Sequence, residues 1–584
     1  MAYALHGNLA TTCESYQTSC RLNRLPGKLV IAHVTTEPPQ SLTNPAPEQG
    51  LSPAKPTTAI VLPGFARSAS IVGLAFVASR VLGLIREIVM ANRFGTSSEY
   101  DAYVSAFRIP DLLFLVVMSG AFGSAFIPVF GSFLARGDRD SANRLASSVI
   151  TYTAIATVAL GALAFIFADP LMRNVVAPDL PPDAMDLAIR TMRLLLVSPL
   201  LLGLGIAAKG ILEAQNKFVL PALAPLLYNL AIVLAALFLA PGHGIDGVTA
   251  GVIIGAALHA AIQVPGLIVS GLRFRPSFSR KVAGLGEVGA LLLPRVIGQA
   301  AFQINFLAVN AFASSAGDGR VSGLNYAWQM MMLPHGVLAL SISTVLFPTM
   351  AQQFELGQIE QMKATLLRAL KPLLFLIIPA SVGLFEFGNA MFQTIFQTGS
   401  FTSESTRLAA EPLALLAAGL VFYGLVEVLA RTFYAMKDTK TPVIAGIIII
   451  VINIAISFAV VDRLGHVGLA MALSISTMIE ALILMAVLRF RIGGFGPSFG
   501  SWLIRVIAAT AAMAAAAELI RPELDELTIP GTANRFVQII QLGIAVSLVA
   551  AVFFAAAWLL RIPETTRAFS AMDRRLRRAT RRKK

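Results

Sequence analysis

The sequence predicts an all-α protein that crosses a membrane many times. Of its 584 residues, 56% are apolar and only 13% charged, where soluble domains run nearer 25% charged. Mean hydropathy is +0.73. The apolar runs are about 20 residues long, enough to span a bilayer as a helix and unlike the short alternating segments of a β-barrel. A polytopic bundle of this kind can be one large domain, so length alone does not divide it.

Residues 1–63 are rich in Pro, Thr and Ser, as in TTEPPQSLTNPAPEQGLSPAKPTT. That composition predicts a disordered cytoplasmic tail. It lacks the basic, apolar, small-residue order of a signal peptide, and an over-extended start codon is a second reading of it. The two cysteines, Cys13 and Cys20, lie in this tail and predict neither a disulfide framework nor a metal site.

Apolar windows then place about fourteen spans. They centre near Val81, Leu115, Thr157, Leu200, Ile232, Leu258, Phe302, Leu338, Phe375, Leu420, Ile450, Ser476, Ala509 and Leu548. Loops after even-numbered spans are basic, as in RGDRDSANR (136–144), RFRPSFSRK (273–281) and RFR (489–491). Loops after odd-numbered spans are poorer in Lys/Arg and often acidic, as in RPELDEL (521–527). The positive-inside rule places both termini in the cytoplasm, which an even number of spans requires. The net charge of +14 raises a nucleic-acid reading. Much of it sits in the tail 563–584, in RRLRRATRRKK. A basic run directly after a hydrophobic helix points to anionic lipid headgroups, with no nucleic acid expected as partner.

The chain repeats itself at an offset of about 215–224 residues. Arg80-Val81-Leu82-Gly83 returns as Arg295-Val296-Ile297-Gly298, and Ala106-Phe107-Arg108 as Ala327-Trp328-Gln329. SAFIPVFGSFLARG (124–137) matches TVLFPTMAQQFELG (344–357). The offset spans six helices, so the halves keep one orientation and form parallel repeats. The predicted domains are a six-helix lobe at 64–281, a second at 282–492, two extra helices at 493–562, and the two tails. Substrate sites in such proteins lie between the lobes near the midplane.

One stretch of the first span does not suit lipid: ASRVLGLIRE (78–87). At 100° per residue, Ser79, Arg80, Gly83, Arg86 and Glu87 fall within ~120° of arc, opposite Val77, Val81, Leu84, Ile85 and Ile88. An intramembrane arginine costs at least ~2.5–3.5 kcal/mol on insertion scales. Two are tolerable facing a wet cavity or a counter-charge. Glu87 can neutralise only one, so the wedge is net positive and favours an anionic ligand. The repeat adds Arg295 at the position equivalent to Arg80. Arg108 and Asp111, three apart, can pair with each other. Asp101 reads as an N-terminal charge on its own helix dipole. Glu427 and Arg431 have the favourable i, i+4 order of a structural pair, and the GxxxG of Gly251 and Gly255 reads as a packing contact. Walker A, HExxH, GxSxG and paired CxxC patterns are absent from the sequence, so no catalytic domain, cofactor or resident metal is expected.

SRVLGLIRE with FG at 94–95, Asp101-Ala102-Tyr103, AFRIPDLL, GAFGSAFIPVF and FYAMKDTKTPV (433–443) together resemble the MurJ/MviN lipid II flippase family. The likeness covers about residues 66–560. It implies two six-helix lobes plus two helices that help form a groove for a polyprenyl tail. It also implies alternating access that moves an undecaprenyl-pyrophosphate-linked peptidoglycan precursor from the inner to the outer leaflet of a bacterial cytoplasmic membrane. By that resemblance Arg80, Arg86, Glu87 and Asp101 are substrate-site residues. Two arginines usual in the family are replaced by Phe114 and Gln329. Arg295 and Arg108 are expected to substitute for them, with Gln329 still in the site. A family sodium site would fall on Asn310, Asn453 and Ser457, without carboxylates. Coupling to the membrane potential or to a monovalent cation follows as an expectation. Two other readings stand beside this one: an exporter of another polyprenyl-linked saccharide or a drug, and a non-transporting scaffold that recruits cell-wall synthesis proteins.

Overall fold

The computed structural model describes residues 63–115, 126–527 and 535–566. The expected tails, 1–63 and 563–584, fall almost wholly outside these. Among the described residues every regular element is helical. The first bundle comprises α1 Pro63–Phe94, α2 Ser98–Ala106, α3 Arg108–Leu113, α4 Ile127–Ala135, α5 Arg139–Ile166, α6 Pro182–Ala214, α7 Val219–Phe238 and α8 Ala240–Val269. The second comprises α9 Leu285–Ser315, α10 Arg320–Glu355, α11 Ile359–Phe396, α12 Ser403–Ala435 and α13 Lys440–Ile492. Two further helices follow, α14 Pro497–Leu527 and α15 Arg535–Leu559. Among the described residues, ten helices are long and apolar enough to cross a membrane. That criterion does not fix the expected count of fourteen, because the 53-residue α13 is two helices joined at a kink.

The kink shows how the repeat is built. Gly465 breaks α13 at φ 56°, ψ −144°, and Gly244 breaks α8 at φ 51°, ψ −136°. Only glycine adopts this region without strain. The correspondence continues through Gly137 and Gly357, Asn216 and Lys437, and Gly271 and Gly493, each pair with φ between 59° and 78°. The π-helical turns Met172–Val176 and Phe392–Phe396 also correspond. These pairs keep the offset seen in the sequence, so the two bundles share their turn geometry as well as their helix order.

In the first bundle α1 packs on α7, α7 on α8 and α8 on α6. A Cβ on Gly251 would sit 2.2 Å from Ala235 Cβ, and one on Gly255 2.8 Å from Tyr228 O. The GxxxG therefore sets the close approach of α8 to α7. In the second bundle α12 is central, with α10, α11 and α13 around it. Leu413, Leu416, Leu420, Leu429 and Phe433 of α12 are fully buried there. α14 and α15 pack on each other and on α11. Leu74, Ile166, Phe238 and Phe458 stay exposed, as a lipid-facing surface requires. Polar caps end the helices: Ser141 N–H donates to Asp138 at 3.0 Å, and Lys440 and Thr441 N–H both donate to Asp438 at 3.0 Å. Asp438 also pairs with Arg491 at 2.7 Å, which ties the KDTKTP loop to the far end of α13.

Candidate functional site

The wedge of α1 opens onto a cavity of about 630 Å³ between the two bundles. Ser79, Arg80, Gly83, Arg86 and Glu87 all line it. A Cβ on Gly83 would meet nothing within 4 Å, so the glycine leaves space between the arginines. Gln329 of α10 lines the facing wall, and Tyr228 and Asn229 of α7, the helix packed on α1, line the cavity as well. The cavity runs along α1 as far as Val72, roughly 33 Å of helix from Phe94.

Arg86 is held firmly. Its Nη2 donates to Glu87 Oε1 at 2.5 Å, its Nε to the same oxygen at 3.2 Å, and its Nη1 to Asn229 Oδ1 at 3.1 Å. Glu87 is 9% exposed, and its buried Oε2 has no hydrogen-bond partner among the described residues. The Arg80 guanidinium reaches the other bundle: a Cβ on Gly336 of α10 would lie 3.4 Å from its Nη2. Gly336 begins a π-helical turn directly after Pro334 and His335, and a side chain there would press on Arg80. Glu427 and Arg431 pair at 2.8 Å within the second bundle.

Three expected site residues lie elsewhere or beyond description. Asp101 is 1% exposed, with both oxygens occupied: Gly319 N–H donates to Oδ2 at 2.6 Å and Ser322 N–H to Oδ1 at 2.7 Å. It lies in the first turn of its own helix, as expected, and also caps α10 of the opposite bundle, so its carboxylate is buried in the contact between the bundles. Among the described residues, Arg108 is not part of the cavity lining and makes no ion pair with Asp111. Its Nε donates to Asn310 Oδ1 at 2.9 Å, and its guanidinium lies 5.9 Å from the Phe306 ring centre. Both partners are on α9, so Arg108 joins the bundles. Arg295 is on α9, and its side chain is outside the described residues. Phe114, in place of a family arginine, packs against the apolar cluster around Phe126, Phe130 and Phe133.

The sodium candidates are engaged in hydrogen bonds within the protein. Asn310 is consumed at the Arg108 contact and by donating to Ser105 Oγ and Val176 O, at 3.0 and 2.9 Å. Asn453 donates to Asn305 at 2.7 Å and accepts from Ser457 at 3.5 Å. Among the described residues no group of three or more His, Cys, Asp or Glu could hold a metal ion.

Asp101 belongs to a latch that sequence reasoning missed. Thr96 and Ser405 hydroxyls bond at 2.8 Å, Ser400 N–H donates to Asn92 O at 2.8 Å, and Tyr326 O–H donates to Gly95 O at 3.2 Å. The approach demands glycine: a Cβ on Gly95 would lie 2.2 Å from Ser400 O, and one on Gly399 2.3 Å from Asn92 O. Beneath it, Tyr100 stacks on Tyr326 at 5.3 Å and Tyr326 meets Phe401 edge-on at 5.4 Å. The FG at 94–95 was the visible signal, but its partners lie some 300 residues away. Lys209 and Glu213 of α6 also line the cavity and were not singled out from the sequence.

Two parallel bundles, latched at one end around a cationic cavity, define a polytopic membrane protein of transporter architecture. The fold is that of an inward-facing multidrug resistance MATE family transporter of the MOP superfamily, at a TM-score of 0.61 and 19% identity over 71% of this chain and 95% of that one. A structure of lipid II flippase MurJ in an inward closed conformation matches at 0.68 and 27% identity, covering 83% of this chain and 99% of that one. The family profile described as Lipid II flippase MurJ matches residues 90–528. The lipid II flippase MurJ of Burkholderia cenocepacia is 31% identical over 73% of this chain and 83% of its own length. The probable lipid II flippase MurJ of Vibrio cholerae is 30% identical over 72% and 82%. The chain belongs to the lipid II flippase MurJ family.

Proposed function

We propose that this chain carries lipid II, the polyprenyl-pyrophosphate-linked peptidoglycan precursor, from the inner to the outer leaflet by alternating access. The observation that supports this best is the placement of Arg80 and Arg86 in one cavity beneath the Asp101 latch. A pyrophosphate is an anion rich in acceptor oxygens, and arginine forks suit it. The basic-loop pattern puts the latched end outside and the cavity mouth, with both termini, in the cytoplasm of a bacterial inner membrane. The cavity then loads from the inner leaflet. Release requires the Asp101 hydrogen bonds and the Gly95–Ser400 approach to part while the opposite end closes.

The substrate's negative charge drives loading, and the membrane potential acts on any charge that moves with the lobes, at ~2.3 kcal/mol per charge per 100 mV. The sodium candidates Asn310, Asn453 and Ser457 carry no carboxylate, which favours that coupling over a bound cation. The basic tail is proposed to hold anionic headgroups. The test is growth of a flippase-depleted bacterium on plasmid-borne variants. Arg80→Ala and Arg86→Ala, expressed at wild-type levels, are expected to fail. Growth on both would overturn the reading.

A further inference from the structure

Lys209 and Glu213 lie one turn apart on α6, in the wall of the same cavity as Arg80 and Arg86. Their N–O distance is 3.9 Å, a loose ion pair, and no hydrogen bond between them is found among the described residues. Arg86 and Glu87 in the same cavity close to 2.5 Å. The side chains of Lys209 and Glu213 are 45% and 30% exposed, and the space they face is the cavity. Lys before Glu at i, i+4 is also the weaker order on a helix. A cation and an anion in a membrane-embedded wall are expected to pair closely or to meet something else. These two stand apart, with room in front of both.

Position narrows what they meet. Asn310 and the 172–181 segment join at the latch end, so α6 runs from there toward the cavity mouth. Glu213 is the penultimate residue of α6, well below Arg86. A substrate held by its pyrophosphate at Arg80 and Arg86 would extend its headgroup toward this pair. One charge of each sign, about 4 Å apart, complements a group that carries a carboxylate and an ammonium on neighbouring atoms. The ligand's carboxylate would meet Lys209 Nζ and its ammonium the Glu213 carboxylate, head to tail.

We infer that Lys209 and Glu213 form a subsite for an amino-acid-like zwitterion on the peptide part of the headgroup, an inference that rests on the flippase reading. Its contribution is discrimination more than affinity. A zwitterion exchanges one ion pair for two, whereas a ligand lacking either charge leaves one side chain facing a like charge or nothing.

The experiment measures binding to the full-length protein in lipid nanodiscs. The probes are lipid-linked precursor with a free stem amine, the same precursor N-acetylated at that amine, the same precursor with its neighbouring carboxyl amidated, and bare undecaprenyl pyrophosphate. Wild type is expected to prefer the free amine over the acetylated form by about tenfold. Glu213→Gln should reduce that ratio below about twofold, and Glu213→Asp should retain it. Lys209→Met should abolish discrimination against the amidated carboxyl. An amine preference that persists in Glu213→Gln, while Arg86→Ala still loses precursor binding, overturns the subsite and leaves the flippase reading standing. If wild type binds none of the probes, bare pyrophosphate included, the flippase reading falls and this inference with it.

Discussion

Arg86 illustrates how one residue serves both stability and site. Its guanidinium spends donors on Glu87 and Asn229, and what remains faces the cavity. Removing it leaves the buried Glu87 carboxylate without its cation, which costs about 3 kcal/mol for a broken buried pair. Arg86→Ala should therefore lower the unfolding temperature in detergent. Arg86→Ala with Glu87→Gln should recover most of that loss but no precursor binding. If the double variant stays as unstable as the single one, the pair is not what holds Arg86. At Asp101 the expected effect is different. Asn has one acceptor oxygen where Asp101 uses two, so Asp101→Asn leaves Gly319 or Ser322 N–H facing an amide NH2, at a cost of about 1–3 kcal/mol. That weakens the latch rather than the fold. A cysteine introduced at Thr96 should become more reactive to a membrane-impermeant thiol reagent from the outside, and unchanged labelling would contradict the latch assignment.

At the scale of elements, the glycines of the latch and the caps of the loops carry the argument. Gly95 closes α1 at φ 59° and lies against Ser400. Gly95→Ala places a methyl where the backbone oxygen sits, so the bundles should fold while the latched end stays open. Reduced transport together with raised outside labelling of that end is the expected result. The KDTKTP loop makes a separate prediction. Partial burial pushes Asp438 up, but the Thr441 hydroxyl and N–H, Arg491 and Lys440 N–H more than offset it, and its carboxyl is held below the usual range. A group depressed in the folded state stabilises above its unfolded pKa, about 3.9, and that contribution is lost as pH falls through the folded value. Unfolding temperature should therefore drop on acidification below about pH 4, and Asp438→Asn should flatten that part of the profile. An unchanged slope in Asp438→Asn would assign the acid sensitivity elsewhere.

For the whole molecule, what the sequence made legible follows the range of the interactions. The wedge of Arg80, Arg86 and Glu87 was readable because helical geometry is local and 100° per residue needs no partner. The repeat was readable because turn geometry demands particular residues, and its glycines reappear with matching φ in the structure. The latch was not readable. Asp101 meets backbone N–H groups more than 200 residues away, and a backbone donor leaves no mark in residue type. Arg108 was misplaced for a related reason: its partner Asn310 is distant, whereas Asp111 was near in sequence and looked sufficient. Lys209 and Glu213 look like an ordinary helix pair until the bundles enclose the cavity in front of them.

The central claim is that lipid II crosses the membrane through the cationic cavity of this chain. The direct measurement is the appearance of lipid II in the outer leaflet of proteoliposomes that hold the purified protein, read with a membrane-impermeant lipid II-binding probe under an imposed membrane potential. Wild type should expose lipid II at a rate that rises with the potential, and Arg80→Ala/Arg86→Ala should match protein-free vesicles. Equal exposure by wild type and the double variant, or by wild type and empty vesicles, would contradict the account.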